Sequence, residues 1–314
     1  MAIPVILSIL LATKGSATRN KIKKIILIFF ITECFLAIYE RSYIVNIFPY
    51  EINNEYISIE QLGFRSTAFL GHPLQNALGV SIIMGFILVS DMKLIWRMSF
   101  ILLGYIALLC FNARGAILVW SILMVIYIVQ IGLSKNRKVL ISFKTISFFI
   151  FAGYIIFILI AKQNFGNRFF QGLIIDGSAL TRVDVFRAFG FINSNDFWLG
   201  NSNNYIPVMN KLGAGGVENS YIVAIINYGI VMAIALFILF FLWMKQLLTL
   251  YTSFAKFIIF VSFILVGSMN NSLASSSSWM FFILSVHSFI SISKPQSITN
   301  IEQYMFQRRN EFVR

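Results

Sequence analysis

Stretches of about twenty mainly apolar residues, the length a helix needs to cross a bilayer, recur along most of this chain. They lie near 1–13, 25–48, 73–91, 97–112, 115–133, 139–161, 219–243, 254–270 and 278–293. The first is short and holds Pro4, and it lacks the basic leader of a signal peptide. Hydrophobic residues make up 58% of the chain and charged residues 12%, with a mean hydropathy of +0.81. That balance excludes an ordinary soluble domain and a disordered chain, which needs low hydrophobicity and high charge. The expected fold is all-α: a polytopic integral membrane protein of about nine transmembrane helices, with 1–314 as one multi-span domain.

The formal charge of +13 invites a nucleic-acid reading, so its distribution matters. Cytoplasmic loops are enriched in Lys and Arg, and alternating the spans on that rule puts seventeen basic residues on one side against Asp91, Glu302 and Glu311. The other side holds eight basic residues and eight acidic ones, and so is neutral. The charge is a topology signal, and no nucleic-acid partner follows from it. The C-terminus, with a tail at 294–314, falls inside and the N-terminus outside. A start outside through a stunted span suggests a chain that begins partway through a longer protein.

Two outer segments exceed the tight connections elsewhere, 49–72 and 162–218, and long loops in compact proteins are often functional. The second reads as an ordered cap on the outer face. Within it Leu180, Val183, Phe186 and Phe189 recur every third residue, which predicts an amphipathic helix over 180–192.

The outer basic residues are chemically distinct. Six of the eight are Arg, whereas eleven of the seventeen inside are Lys. Arg offers a planar, bidentate, permanently charged fork suited to phosphate, so its retention against the topological bias marks candidates for an anionic ligand. Arg182 has no local carboxylate, while Arg187 can pair with Asp184 three residues earlier. Arg114 sits in the turn Phe111-Asn112-Ala113-Arg114-Gly115, where it either snorkels or faces a wet cavity. Arg65 and His72 bracket Phe64-Arg65-Ser66-Thr67-Ala68-Phe69-Leu70-Gly71-His72-Pro73. His72 reads either as the cap of a helix whose first residue is Pro73 or as a base. Glu218 precedes Asn219-Ser220-Tyr221 and is either a partner of the helix dipole or a general base. His287 reads as a packing contact. Cys34 and Cys110 both lie in apolar runs and read as inert core residues.

The chain has no Walker A loop, no Gly-x-Ser-x-Gly, no His-Glu-x-x-His and no Asp-x-Asp pair. Its two histidines are too few for a histidine-built metal centre, and no metal or cofactor is expected. Within the spans Glu33 is the main charge. Ion-coupled transporters usually carry such groups at mid-membrane, so the polar residues gathered at the outer face favour surface chemistry over transport.

Three pieces, in order, resemble the bacterial O-antigen polymerases and O-antigen ligases. Phe64 to Ala77 is similar to the family's Arg…Phe…His/Asn-Pro-Asn-x-Ala entry to a span. Asn112-Ala113-Arg114-Gly115-Ala116 resembles its Ser-Arg-Gly turn, with Ala113 where Ser is common. Arg182-Val183-Asp184-Val185-Phe186-Arg187-Ala188, Trp198-Leu199-Gly200 and Glu218-Asn219-Ser220-Tyr221 through Tyr228-Gly229-Ile230 resemble its large outer loop and the following span. Glu218 stands where ligases tend to have His, which leans towards a polymerase.

The resemblance covers about 60–240 and implies a metal-independent glycosyltransferase of the bacterial inner membrane, active at the periplasmic face. Its substrate would be an undecaprenyl-pyrophosphate-linked oligosaccharide. Its surroundings would be the lipid bilayer, a chain-length regulator and a flippase. The implied roles are Arg182 and Arg114 on the donor pyrophosphate, Arg65 and Arg187 as secondary contacts, and Glu218 or His72 on the acceptor hydroxyl. A ligase that moves the glycan to a lipid A core, and a transporter or flippase, are the alternatives.

Overall fold

A computed structural model of the chain describes residues 2–49, 51–52, 55–56, 64–132, 185–212, 219–268 and 276–289. In order, these form α1 (Ala2–Ala12), α2 (Ser16–Tyr43), a minimal antiparallel ladder of Glu51–Ile52 with Glu55–Tyr56, α3 (Pro73–Val89), α4 (Leu94–Cys110) and α5 (Arg114–Gly132). After a 3-10 helix at Val185–Phe191 come α6 (Ser194–Leu199), a 3-10 turn at Ser202–Asn204, α7 (Tyr205–Leu212), α8 (Ser220–Leu247), α9 (Ser253–Ser268) and α10 (Ser276–Ser288). The regular secondary structure among the described residues is thus helical in all but the ladder. Eight of the nine apolar runs coincide with helices, and the run at 139–161 lies outside the described residues.

Two helical stretches are long and apolar enough to cross a membrane by length and composition, Arg114–Ile131 and Ser220–Leu247. Pro73–Val89, Leu94–Cys110, Ser253–Ser268 and Trp279–Ser288 are apolar but shorter. α2 starts well before its apolar run because Lys and Arg are good helix formers, so the basic segment around Lys21, Lys23 and Lys24 continues the helix.

α3 is the central post. It is apolar on all faces, as a helix surrounded by others must be, and α2, α4, α5, α9 and α10 pack around it. Phe30, Phe86, Trp120, Phe263 and Phe282 are fully buried in the resulting core. At one end of the bundle Lys23 lies over the Phe289 ring at 5.0 Å, and Tyr251 donates to the Val286 carbonyl at 2.7 Å. At that end, too, Ser8 Oγ and His287 Nε2 are 3.0 Å apart, and Arg97 Nη1 donates to the Leu88 carbonyl at 2.9 Å. His287 is therefore the packing contact expected of it. The opposite end gathers the tail of α2, the entry to α3 and the α4–α5 turn. Outward faces remain apolar: on α5, Leu118, Ile122, Val125 and Val129 form an exposed stripe.

α8 is not a single rod. Gly229 has φ 74° and ψ 162°, which breaks the helix. The rings of Tyr221 and Phe237 are 4.8 Å apart, although sixteen positions would set them about 24 Å apart in a straight helix. The arm 220–228 therefore folds back towards the arm 230–247. The apolar run at 219–243, expected to cross as one span, is divided at this glycine.

A small lobe, 185–212, packs on the shorter arm through a second core of Val185, Ala188, Val208, Ile222 and Ile226. The helix expected over 180–192 is corrected here. Its described part is 3-10, and Phe186, placed on the apolar face by the three-residue repeat, is exposed while Val185 and Ala188 are buried. A repeat of three is the 3-10 period itself, and of the expected stripe Phe189 still packs against the shared core.

Lobe and break meet at two glycines. A Cβ on Gly200 (φ 81°) would overlap the backbone of Tyr228 and Gly229, and a Cβ on Gly229 would overlap the backbone of Trp198, Leu199 and Gly200. Asn201 N–H also donates to the Ile226 carbonyl at 3.3 Å, occupying an acceptor at the interrupted end of the shorter arm. Gly229→Ala and Gly200→Ala therefore combine a backbone conformation reserved for glycine with a backbone clash. Each is expected to cost at least about 2 kcal/mol, read as a lower melting temperature of detergent-purified protein. An alanine at the open Gly190 is the control that melts as the parent does.

Candidate functional site

The entry segment before α3 is irregular backbone carried into the helix bundle, so its polar groups must find partners within the protein. Two carboxylates of α2 supply acceptors. Glu40 is fully buried, and its Oε2 accepts from the N–H groups of Thr67 (2.8 Å) and Ala68 (2.9 Å) while Oε1 accepts from Ile47 N–H (2.8 Å). Seven residues back, Glu33 Oε2 accepts from Phe69 N–H at 3.3 Å. Asn76, in the first turn of α3, donates from Nδ2 to the Thr67 carbonyl and accepts from Leu70 N–H at 3.1 Å. Ala68 adopts φ 37°, a left-handed turn held by these flanking bonds.

The same segment is tied to the α4–α5 turn. Ser66 N–H donates to the Cys110 carbonyl at 3.2 Å, and Ser66 Oγ donates to the Ala37 carbonyl at 2.8 Å. The Phe64 carbonyl accepts from Arg41 Nη1 at 2.7 Å and from Asn112 Nδ2 at 3.4 Å. Asn112 occupies the left-handed region at φ 54°, where Asn is favoured.

Three of the expected site residues lie on these two pieces. Arg65, half buried, donates from Nε to the Phe111 carbonyl at 3.1 Å, which fixes the plane of its guanidinium beside the turn that leads into Arg114. Arg114 is the first residue of α5 and is half buried. His72 is the N-cap of α3, with Nδ1 accepting from Leu74 N–H at 3.2 Å and Pro73 in the first turn. The capping reading is therefore the one observed. Nδ1 as acceptor puts the proton of the neutral ring on Nε2. Burial first, then the nearby Arg65 charge, lower the His72 pKa to about 4. The ring is thus neutral at physiological pH and would have to give up its cap to act as a base.

The remaining candidates belong to the second region. Arg187 is exposed on the 3-10 helix of the lobe. Arg182, its neighbour Asp184, and Glu218 lie outside the described residues. Next to Glu218, Asn219 caps α8, its Oδ1 accepting from Tyr221 N–H at 3.0 Å and Ile222 N–H at 3.2 Å. Tyr221 then bonds Ser268 Oγ at 2.8 Å, joining the mouth of α8 to the end of α9. Among the described residues no group of three His, Cys, Asp or Glu side chains could hold a metal ion.

Sequence reasoning missed Glu40 and Asn76, and it noted Glu33 only as the main charge within the spans. Asn76 lay inside the quoted entry motif. The carboxylates act on backbone twenty-seven and thirty-six residues away, and no local spacing reports that.

Glu40→Ala would strand two buried donors and a partly buried one and is expected to cost upward of about 3 kcal/mol, whereas Glu40→Gln keeps an acceptor oxygen and should lose less. Melting of the two purified variants checks the order. The depressed His72 pKa gives a signed pH effect. The unfolded ring binds a proton below about 6.5 and the folded ring only below about 4. Stability from His72 is thus full at neutral pH and drains as pH falls between those values. His72→Asn, which keeps a capping side chain, should show a smaller loss of melting temperature from pH 7 to pH 4 than the parent. Searches of known protein families, curated proteins and solved structures found no match to this chain.

Proposed function

We propose that the chain is a multi-span membrane glycosyltransferase that polymerises a surface polysaccharide. It would act at the periplasmic face of a bacterial inner membrane, on undecaprenyl-pyrophosphate-linked oligosaccharide. The observation that carries the reading is the way the separate pieces of the resemblance meet. The Phe64–Ala77 piece and the Asn112–Ala116 turn are bonded to one another through Arg65, Ser66 and Asn112. The Trp198–Gly200 and Tyr228–Ile230 pieces close on each other through Gly200 and Gly229. The first meeting and the Trp198–Gly200 piece lie where the charge balance places the neutral side, and the outward faces of α5 and the longer arm of α8 are apolar, as bilayer contact requires.

In this reading a hydroxyl oxygen of the lipid-linked repeat unit attacks the first sugar carbon of the growing chain. The bond from that carbon to the pyrophosphate oxygen breaks, and the acceptor's proton passes to Glu218. The departing lipid pyrophosphate gains negative charge, which the Arg114 and Arg182 forks stabilise without a metal, with Arg65 and Arg187 in support. Nine spans, with 162–218 as the outer loop, complete the arrangement.

The test is the length profile of the surface polysaccharide on a gel, with and without the chain. A ladder that collapses to a single repeat is the expected result. Loss of attached polymer with lipid-linked polymer retained would assign a ligase instead, and an unchanged profile would remove the reading. Arg182→Lys and Arg114→Lys, which keep the charge but lose the fork, should each reduce polymerisation on the order of a hundredfold or more at normal protein level.

A further inference from the structure

The arm 230–247 of α8 has eighteen residues, about 27 Å of helix, against a hydrocarbon thickness of about 30 Å. Its far end carries Lys245 and Gln246. An arm of that length uses up the bilayer by itself, so Gly229 falls at the outer boundary. Exposure changes character at the same residue. Along 220–227 no side chain is exposed, because the lobe and the bundle cover that arm. From Tyr228 onward, large apolar side chains such as Met232 and Leu239 face outward.

The lobe places its own apolar corner at that level. The backbone of Trp198, Leu199 and Gly200 touches Gly229, and Leu199 is 79% exposed and Trp198 54% exposed. The chain then turns polar at once, with Ser202 and Asn203 exposed directly after Gly200 and Asn201. An apolar and aromatic pair beside a helix break, followed by polar residues, matches the side chains that populate a membrane–water interface.

We propose that the 185–212 lobe is seated in the outer bilayer interface, with Trp198 and Leu199 inserted among the lipids at the level of Gly229. The occupant of this apolar corner is bilayer lipid, at the boundary of headgroup and acyl chain. The corner is continuous with the apolar face that the longer arm turns outward, and the Gly200–Gly229 contact fixes its depth. This inference rests on the membrane reading above and adds to it the position of the outer boundary and the element that anchors there.

The test uses the full chain in vesicles of phosphatidylethanolamine and phosphatidylglycerol, with an environment-sensitive fluorophore on a single introduced cysteine. Cys34 and Cys110 are buried and stay unlabelled. For Leu199→Cys, lipids carrying a nitroxide high on the acyl chain should quench strongly and aqueous iodide weakly. Asn203→Cys should show the reverse, and Leu239→Cys should respond to a nitroxide deep in the bilayer. If Leu199→Cys is quenched by iodide as readily as Asn203→Cys, the corner faces water and the proposal is overturned. If neither quencher reaches it, protein covers the corner, which also overturns it. Failure at Leu239→Cys would instead remove the membrane reading itself, so the two failures are told apart.

Discussion

A buried carboxylate with three backbone donors organises the end of this bundle where the entry to α3 meets the α4–α5 turn. Glu40 binds the N–H groups of Ile47, Thr67 and Ala68, and so holds both the chain leaving α2 and the chain approaching α3. Irregular backbone among packed helices is tolerable only if its polar groups are answered there. A carboxylate is likewise tolerable in such a place only when its oxygens are well bonded. Each group solves the other's problem, and the geometry leaves little choice of register. Shifting the segment by one residue would unmake the bonds at Thr67 and Ala68, and with them the contacts of Ser66 to Cys110 and Ala37. Glu33 extends the arrangement to Phe69 with one oxygen, while its buried Oε1 has no hydrogen-bond partner among the described residues. Glu40 is thus the closed anchor of the segment and Glu33 the open one.

The helices were legible because apolar runs of bilayer length are a strong and redundant signal. Their limits were less so, for particular reasons. The start of α2 was missed because a basic flank is invisible to hydropathy yet favourable to helix. The break in α8 was missed because 219–243 is apolar throughout, and only the backbone of Trp198–Gly200 pressing on Gly229 shows why glycine must stand there. The repeat Leu180, Val183, Phe186, Phe189 was read at the wrong period. A spacing of three fits the face of an α-helix loosely and a 3-10 helix well; Val185 and Ala188 are buried in the lobe's core and Phe189 packs against it, while Phe186 is exposed.

The candidate site was legible in part, and the division follows the kind of contact involved. His72 as the cap before Pro73 could be read from two adjacent residues, since capping is local chemistry. The Asn112 turn was likewise set by neighbouring residues. What brings Arg65 to that turn is a bond to the Phe111 carbonyl, forty-six residues away, and pairings at such separations leave no trace in a single sequence. The same holds for Glu40. In the charge balance it counted as one of eight acids offsetting eight bases, whereas in the fold its partners are peptide groups.

These backbone-held groups bear on the proposed chemistry. A leaving pyrophosphate develops its charge within one step, so the donors that meet it are effective in proportion to how little they must reorganise. A guanidinium on a long side chain is a poor fixed donor unless something immobilises it. The Nε bond of Arg65 does this at the cost of one donor, and the half-buried start of α5 limits the room of Arg114. The bundle also fixes what these residues stand on, because the segment bearing Arg65 is pinned to α2 by Glu40 and to α4 by Ser66. Changes at Glu40 should therefore disturb the arginines through their footing, without any contact to a substrate.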